Sequence, residues 1–295
     1  AKGVVIKVGD STYFGKIANT VTSGKEKTAF QKGIESISKL LIKIMIFMIT
    51  IVFLINVEKH DIILAFTFAV AIAICITPLL LPVILSSSLS KGAERMSKKK
   101  TIVKKLDSIQ NFGAMNIFCT DKTGTLTEDK IVLEKYLNVN GEEDFNILKY
   151  DEKGMTLLGF IGFLDPPKES AKEAIEGLNN AGIRVMVLTG DNVEVTRCVC
   201  NKAGINSKKI ITGNKIDTLS DVALSRLLKR NNIFAKLSPI QKARIVRVLK
   251  QNGNVVGYMG DGINDSPALT NSDVGISVDT AVDIAKETAD IILLE

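Results

Sequence analysis

Two long apolar segments constrain the fold of this chain more than any other feature of its sequence. From Leu40 to Val57 the only charged residue is Lys43, and from Ile62 to Ser90 there is none. Each segment is close to or above the roughly 20 residues that a helix needs to cross a bilayer. Because few residues lie between them, the sequence predicts a transmembrane hairpin with helices over about 40–57 and 62–89. The alternative is a buried helical hairpin of a soluble protein.

Basic residues lie on one side of this hairpin. The formal net charge is +6, and its main clusters are Lys25, Lys27, Lys32 and Lys39 before the hairpin and Lys91, Arg95, Lys98, Lys99 and Lys100 after it. Since basic flanks stay on the cytoplasmic side, both termini are expected in the cytoplasm and the chain in the cell membrane, as a multi-pass protein. The expected partner is a lipid bilayer, and no basic stripe with interleaved aromatic residues indicates nucleic acid.

After Ile102 short apolar strands alternate with amphipathic helices. Strands are predicted over 116–120, 156–164, 184–188, 210–212, 233–235, 255–259, 274–277 and 291–294. Helices are predicted from Pro166–Pro167 to Asn180 and over 192–203, 217–229, 239–251 and 281–287. A further strand is predicted over 3–8. This alternation indicates the α/β class, with a doubly wound parallel sheet attached to the two-helix transmembrane hairpin.

Histidine and cysteine are too scarce for several kinds of active site. His60 is the only histidine, which excludes a Ser-His-Asp triad and a metal held by several histidines. The cysteines Cys75, Cys119, Cys198 and Cys200 have the spacing of neither a disulfide framework nor a zinc site. Catalysis is therefore expected to rest on carboxylates, lysine and threonine.

Acidic residues follow three of the predicted strands, at the strand ends where a doubly wound sheet binds its ligands. They are Asp121, the segment Thr189-Gly190-Asp191, and Asp261 with Asn264 and Asp265; Lys242 opens a helix after Ser238-Pro239. Phosphoryl transfer uses such a set, because it needs an attacking carboxylate, oxygen ligands for magnesium, donors to phosphate oxygens and a lysine that offsets charge. For Asp191 and Asp265 a structural role at a helix start remains the alternative.

The motifs around these residues resemble those of the haloacid-dehalogenase-like superfamily and, within it, of the P-type ATPases. In chain order they are Asp121-Lys-Thr-Gly-Thr-Leu-Thr127, Asp165-Pro-Pro-Lys168, Thr189-Gly-Asp191 and Gly260-Asp-Gly-Ile-Asn-Asp265. Four motifs in one order make the resemblance specific. It implies a haloacid-dehalogenase-like phosphorylation domain and ATP-driven cation transport through an aspartyl-phosphate intermediate.

The resemblance implies a nucleophile and a metal site. Asp121 is the expected nucleophile. Mg²⁺ is the implied cofactor, on Asp121, the Thr123 carbonyl and Asp261. Asn264 and Asp265 are expected to order the second coordination shell of that metal.

The resemblance also implies residues for the phosphoryl donor, which in the intact family is ATP. Thr189 and Gly190 are expected to hold the phosphate, and Lys242 to balance its charge. Asp191 is expected to face the nucleotide.

Thr123 distinguishes a pump from a phosphatase. Phosphatases of the superfamily usually have a second Asp two residues after the nucleophile, and it acts as general acid and base. With Thr123 there, water attack on the aspartyl phosphate lacks that help, so a long-lived intermediate is expected. A membrane-anchored phosphatase and a non-transporting remnant remain alternatives.

A proline-containing segment of the second apolar helix is the expected transport site. It consists of Thr77, Pro78, Leu79 and Pro82. Proline breaks helical hydrogen bonding and frees carbonyls that can bind an ion, although a simple kinked helix is the alternative. The sequence before the nucleophile, Leu106 to Met115, is most similar to the bacterial magnesium-transporting P-type ATPases. These tend to have Glu where Leu79 stands, so a proton pump is the alternative.

Relative to these pumps, the chain is expected to be a fragment. Residues 1–30 are interpreted as the end of an actuator domain, 31–100 as the transmembrane hairpin and stalk, and 101–295 as the phosphorylation domain. A vestigial linker over 134–155 is expected in place of the nucleotide-binding domain, since it is shorter than a domain. Later membrane helices of the family are also expected to be missing.

Overall fold

The computed structural model describes residues 4–12, 15, 29–58, 61–76, 80–128, 132–138, 140–143 and 159–294. The apolar region forms helices α1 (Ala29–Val57), α2 (Ile62–Ile76) and α3 (Leu80–Ser97). Among the described residues, one helix, Lys32–Val57, is long and apolar enough to cross a membrane, and Ile62–Cys75 is a shorter apolar helix. None of the most apolar stretch of Lys32–Val57 is buried, which favours a membrane helix over the core helix of a soluble protein.

The bounds of these helices differ from the predicted hairpin. α1 begins well before residue 40, because residues 29–39 lack proline and carry an ion pair one turn apart, between Lys39 Nζ and Glu35 Oε1 at 3.1 Å. The helix predicted over 62–89 is described as α2 and α3, and α3 continues to Ser97.

The connection from α3 to the rest of the fold is short. A turn over 98–100 ends the helix, and Lys100 has φ 56°, the left-handed conformation that commonly closes a helix. The Leu294 N–H donates to the Lys100 carbonyl at 2.9 Å. A Cβ built on Gly92 in α3 would lie 3.4 Å from Ile109, so this part of α3 packs closely on the segment that carries Ile109.

The remaining elements follow in α/β order. They are β1 (Thr101–Val103), α4 (Asp107–Ala114), β2 (Ile117–Thr120), β3 (Val132–Asn138), β4 (Gly159–Leu164), α5 (Ala171–Asn180), β5 (Arg184–Leu188), α6 (Val193–Lys202), β6 (Ile210–Thr212), α7 (Gly213–Asp217), α8 (Asp221–Leu228), β7 (Ile233–Ala235), α9 (Pro239–Gln251), β8 (Val256–Met259), α10 (Ser266–Asn271), β9 (Val274–Val278), α11 (Asp283–Thr288) and β10 (Ile291–Leu293).

Among the described residues, eight strands form the main sheet, in the order β1-β10-β9-β8-β2-β5-β7-β6. All neighbours are parallel except β1, which runs antiparallel to β10. From β2 the chain builds outward on one side through β5 and returns to the other side at β8. The point where the direction reverses lies at β2, and ligands bind at such points in doubly wound sheets.

The sheet is buried on both faces, as parallel sheets are. Along β5, Met186 and Leu188 contribute to one core cluster, with residues of α8 and α9. Val185 and Val187 contribute to a second cluster, with residues of α5 and α6. The alternation follows from the two-residue period of a strand.

Several predicted elements are wrong, and in each case the reason is the presence or absence of a pairing strand elsewhere in the chain. β4 does not join the main sheet, because it pairs antiparallel with β3 in a separate two-stranded sheet. β3 was not predicted and covers the first residues of the expected linker 134–155. Residues 4–8 form no strand, because no described strand pairs with them; Val4 and Ile6 are 89% and 87% exposed.

Two predicted helices also have different bounds. The helix expected from Pro166–Pro167 begins only at Ala171, because Pro167 is extended and forms a β-bridge with Thr127. The helix expected over 217–229 begins only at Asp221, because the Ser220 side chain accepts the Ala223 N–H and starts α8, and Asp217 is instead the last residue of α7.

Candidate active site

The ends of three neighbouring strands form one polar cavity. In the sheet register Thr120, the last residue of β2, lies beside Val187 of β5 and Met259 of β8. The loops that leave these strands therefore meet beside Asp121. The cavity has a volume of about 360 Å³ and is lined by Asp121, Thr123, Thr189, Gly190, Asp191, Asp261, Gly262, Asn264, Thr280, Ala281 and Val282.

Asp121 lies at the bottom of this cavity and is only 4% exposed. Its Oδ1 accepts the Lys122 N–H at 2.7 Å, and its Oδ2 is 2.8 Å from Lys242 Nζ. The Asp121 N–H donates to the Met259 carbonyl at 3.0 Å, which fixes the backbone against β8. A charged donor and a backbone donor thus orient the carboxylate.

Lys242 is fully buried and connects two carboxylates. Its Nζ is 2.8 Å from Asp121 Oδ2 and 2.8 Å from Asp265 Oδ1. The helix that carries it, α9, starts with a capping box in which Ser238 and Gln241 exchange hydrogen bonds. This cap fixes the first turn, and Lys242 directly follows it.

The charges in this group shift one another's pKa values. Burial raises the pKa of Asp121 to about 6, although the Lys242 ammonium lowers it in part. Burial alone would lower the pKa of Lys242, but the carboxylates of Asp121 and Asp265 outweigh it and the net direction is upward. Lys242 is therefore charged at neutral pH, and Asp121 is ionised above about pH 6.

A second lysine joins the nucleophile loop to two other motifs. Lys122 Nζ lies 2.7 Å from Asp191 Oδ2 and 3.2 Å from Asp165 Oδ2. The Thr127 hydroxyl also donates to Asp165 Oδ2, at 2.7 Å. Burial would lower the pKa of Lys122, but Asp191 and Asp165 raise it overall. The cap of α6 is Asn192, whose side chain accepts the Val195 N–H, so Asp191 does not cap that helix.

The donor set fits a hard divalent cation. The carboxylates of Asp121 and Asp261 and residue Thr123 face the same cavity. No cluster of three or more His, Cys, Asp or Glu side chains suited to a metal occurs among the described residues. Magnesium typically uses one or two carboxylates and keeps several waters, so two carboxylates with one carbonyl are sufficient.

Gly124 is needed where the nucleophile loop approaches Asp261. It has φ +68°, and an added Cβ would lie 1.8 Å from Asp261 Oδ2. We expect Gly124→Ala to lower Mg²⁺-dependent phosphorylation at least about tenfold and to destabilise the chain by about 1–3 kcal/mol, because both the backbone and the carboxylate must shift. The measurements are labelled acyl phosphate and the midpoint of thermal unfolding in detergent.

Gly113→Ala is the matched control for this change. Gly113 lies in α4, and apart from its chain neighbours and the backbone of its own helix nothing lies within 4 Å of an added Cβ. Alanine should leave phosphorylation unchanged and stabilise the helix slightly. Equal behaviour of the two variants would contradict the role of Gly124.

The sequence-predicted residues come together. Seven line the cavity (Asp121, Thr123, Thr189, Gly190, Asp191, Asp261 and Asn264), and Lys242 and Asp265 lie fully buried beside Asp121. Of the transport segment, Thr77, Pro78 and Leu79 lie outside the described residues, and Pro82 lies in α3.

Sequence reasoning missed further residues of the site. Thr280, Ala281 and Val282 line the cavity after β9, and the Val282 N–H donates to the Asp261 carbonyl at 3.0 Å. The rule that ligands gather at strand ends, applied to the strand over 274–277, would have found them. No local signal pointed to the ion pairs of Lys122 with Asp165 and Asp191.

Known proteins resemble this chain over all or part of its length. A haloacid dehalogenase-like hydrolase model matches residues 132–273, and the match includes Lys242 and Asp261. The "Magnesium-transporting ATPase, P-type 1" of Salmonella typhimurium LT2 is 35% identical over 427 residues, covering 100% of this chain and 47% of that protein. The protein of the same name in Escherichia coli K12 is 36% identical, with the same coverage. The calcium-transporting ATPase of Bacillus subtilis is 24% identical and covers 99% of this chain.

The solved structures agree on the fold. A zinc-transporting PIB-type ATPase in its E2.Pi state has a TM-score of 0.68 at 17% identity, over 98% of this chain and 57% of that one. The chain spans about half the length of the curated relatives it matches, since it covers 47% of the Salmonella and Escherichia proteins. The identity to these relatives over the whole of this chain, together with the haloacid dehalogenase-like match, shows that the chain belongs to the P-type ATPases, within the haloacid-dehalogenase-like superfamily.

Proposed function

We propose that this chain is the phosphorylation domain and part of the membrane region of a cation-transporting P-type ATPase, and that Asp121 accepts the phosphoryl group. One observation carries the proposal: Asp121 is buried, paired with Lys242 at 2.8 Å, and shares its cavity with Asp261 and Thr189. Structural ion pairs are also buried in proteins. They do not usually line an open polar cavity at the switch point of a parallel sheet.

In the proposed reaction an Asp121 oxygen attacks the terminal phosphorus of a phosphoanhydride. The new bond joins that oxygen to phosphorus, and the bond from phosphorus to the leaving oxygen breaks with its electron pair going to the leaving group. Thr189 and the Gly190 backbone, which line the cavity, donate to phosphoryl oxygens. Lys242 offsets the negative charge that moves from Asp121 onto the phosphoryl group.

Magnesium fits beside this step, on Asp121, Asp261 and the Thr123 carbonyl. When bound, Mg²⁺ would neutralise charge on the phosphoryl oxygens and orient them. Asp261 is held for this role by the Val282 N–H on its carbonyl and by the space that Gly124 leaves.

The residue two positions after the nucleophile favours a pump over a phosphatase. Thr123 lines the cavity where a general acid and base would be needed, and a threonine hydroxyl cannot take up a proton near neutral pH. The acyl phosphate is therefore expected to outlast a conformational change. A long-lived acyl phosphate suits the transport cycle of a pump, whereas a phosphatase needs it to be hydrolysed rapidly.

In the intact protein we propose ATP as the donor and a cation as the cargo, with magnesium the first candidate. The support is the name that the relatives at 35% and 36% identity carry. A proton remains the alternative cargo, because Leu79 offers no carboxylate. The proposed location is the cell membrane, with further spans in the whole protein and the phosphorylation domain in the cytoplasm.

The chain itself is proposed to be a poor user of ATP. The Salmonella alignment runs over 427 residues against 295 in this chain, so that relative has internal residues without a counterpart here. We infer that a nucleotide-binding domain is inserted in the relative at the linker 134–155. The domain division into 1–30, 31–100 and 101–295 stands as part of this proposal.

A small phosphoanhydride tests the proposal, because it does not need an adenine pocket. The detergent-solubilised chain is incubated with labelled acetyl phosphate and Mg²⁺. We expect a hydroxylamine-sensitive acyl phosphate that chelation of Mg²⁺ prevents. Absence of any acyl phosphate, or label that maps away from Asp121, would refute the function; rapid turnover of simple phosphate esters would favour the phosphatase.

A further inference from the structure

A buried tyrosine hydroxyl extends the charged group at the active site. Tyr258 lies on β8 between β2 and β9 and is fully buried. Its hydroxyl donates to Asp265 Oδ1 at 2.7 Å. That same oxygen also lies 2.8 Å from Lys242 Nζ, whose other partner is Asp121 Oδ2 at 2.8 Å. A continuous series of hydrogen bonds therefore runs from Tyr258 to the nucleophile.

Water has no access to the Tyr258 hydroxyl. Both Tyr258 and Asp265 are fully buried, so a water molecule cannot replace the bond without opening the sheet. Burial and the nearby carboxylates of Asp265 and Asp121 raise the pKa of Tyr258 well above its ordinary value. The phenol is therefore a permanent neutral donor. Asp265 Oδ2 accepts the Gly262 N–H at 3.2 Å, so both oxygens of this carboxylate are engaged.

Lys242 has two competing carboxylate partners at equal distance. During phosphoryl transfer negative charge leaves the Asp121 carboxylate, and Lys242 has to follow that charge toward the phosphoryl oxygens. An Asp265 carboxylate without another donor on the same oxygen would hold the Lys242 ammonium more tightly. A hydrogen bond to a carboxylate lowers its attraction for a cation, and the tyrosine supplies it without adding charge.

From this arrangement we infer that Tyr258 is a positioning residue: its hydroxyl partly satisfies Asp265 and so leaves the Lys242 ammonium available to Asp121 and the phosphoryl group. The inference rests on the proposed function and deepens it. Tyr258 touches no reactant, because it does not line the cavity. It acts through Asp265 on Lys242.

The test compares Tyr258→Phe with the unaltered chain in phosphorylation by labelled acetyl phosphate. Phenylalanine keeps the ring and removes only the hydroxyl. We expect the maximal rate of acyl-phosphate formation to fall about tenfold, because Asp265 without this hydrogen bond holds the Lys242 ammonium more strongly. The donor concentration at half-maximal rate should change less than about twofold.

Thr196→Val is the matched control. Thr196 is also fully buried and donates one hydrogen bond, to the Asn192 carbonyl at 2.7 Å, without touching the charged group. Its rate should equal that of the unaltered chain. An unchanged rate in Tyr258→Phe, or equal slowing in both variants, would overturn the inference.

A second measurement separates this inference from the proposed function. The side-chain ammonium signal of Lys242 is followed by NMR in the ¹⁵N-lysine-labelled chain and is assigned by its absence in Lys242→Met. Tyr258→Phe should shift this signal, whereas Thr196→Val should leave it in place. If the unaltered chain forms no acyl phosphate but the signal shifts as expected, the proposed function fails and the coupling stands. If the signal does not move, the positioning role fails whatever the enzyme does.

Discussion

Replacing Asp121 with Asn should abolish the acyl phosphate. An amide oxygen cannot attack phosphorus under these conditions, so we expect label from acetyl phosphate to fall at least about a thousandfold. The protein should remain folded. The Lys242 ammonium keeps its partner Asp265 at 2.8 Å, and the substitution removes a buried charge whose desolvation raises the pKa of Asp121 to about 6.

The measurement is peptide mapping of the labelled chain, with the thermal midpoint in detergent as the folding check. Asp217→Asn is the matched control, because it makes the same chemical change at an exposed residue at the end of α7. It should label normally. Persistent hydroxylamine-sensitive label in Asp121→Asn would assign the nucleophile to another residue.

Replacing Lys242 with Met should affect both stability and chemistry. Without the ammonium, the carboxylates of Asp121 and Asp265 are left buried without their shared cation. Removing one partner of a buried ion pair typically costs about 3–5 kcal/mol. Phosphorylation should be lost as well, because nothing else in the described site is paired with Asp121 Oδ2.

A double variant separates these two effects. The double variant Lys242→Met with Asp265→Asn also removes one of the two unpaired buried carboxylates. Stability should therefore recover in part, whereas phosphorylation should not. The measurements are the urea midpoint in constant detergent and acyl-phosphate yield. A single Lys242→Met variant that unfolds like the unaltered chain would show that the pair contributes little to the fold.

Local patterns were sufficient for much of the sheet. The strands over 184–188, 210–212 and 233–235 have the predicted bounds, because continuous apolar runs between polar turns are typical of buried parallel strands. The helix over 239–251 also has its predicted bounds, since Ser238, Pro239 and Gln241 give a local start signal. The fold class is confirmed by the parallel sheet and by the similar solved structures.

What the sequence did not reveal depends on partners distant along the chain. β1 is three residues long and exists because β10 pairs with it. β3 and β4 are strands because each pairs with the other across the linker. For the site, strand ends located the acidic residues, but Tyr258 had the pattern of an ordinary core residue. Only its distance to Asp265 distinguishes it.

The short connection between α3 and β1 has a mechanical consequence. Only residues 98–100 separate the helix from a strand whose every residue is paired with β10, and the Lys100 carbonyl is itself tied to Leu294. The connection between α3 and β1 therefore has little conformational freedom. If the sheet tilts when the residues around the nucleophile rearrange, this short connection would therefore transmit the movement directly to α3.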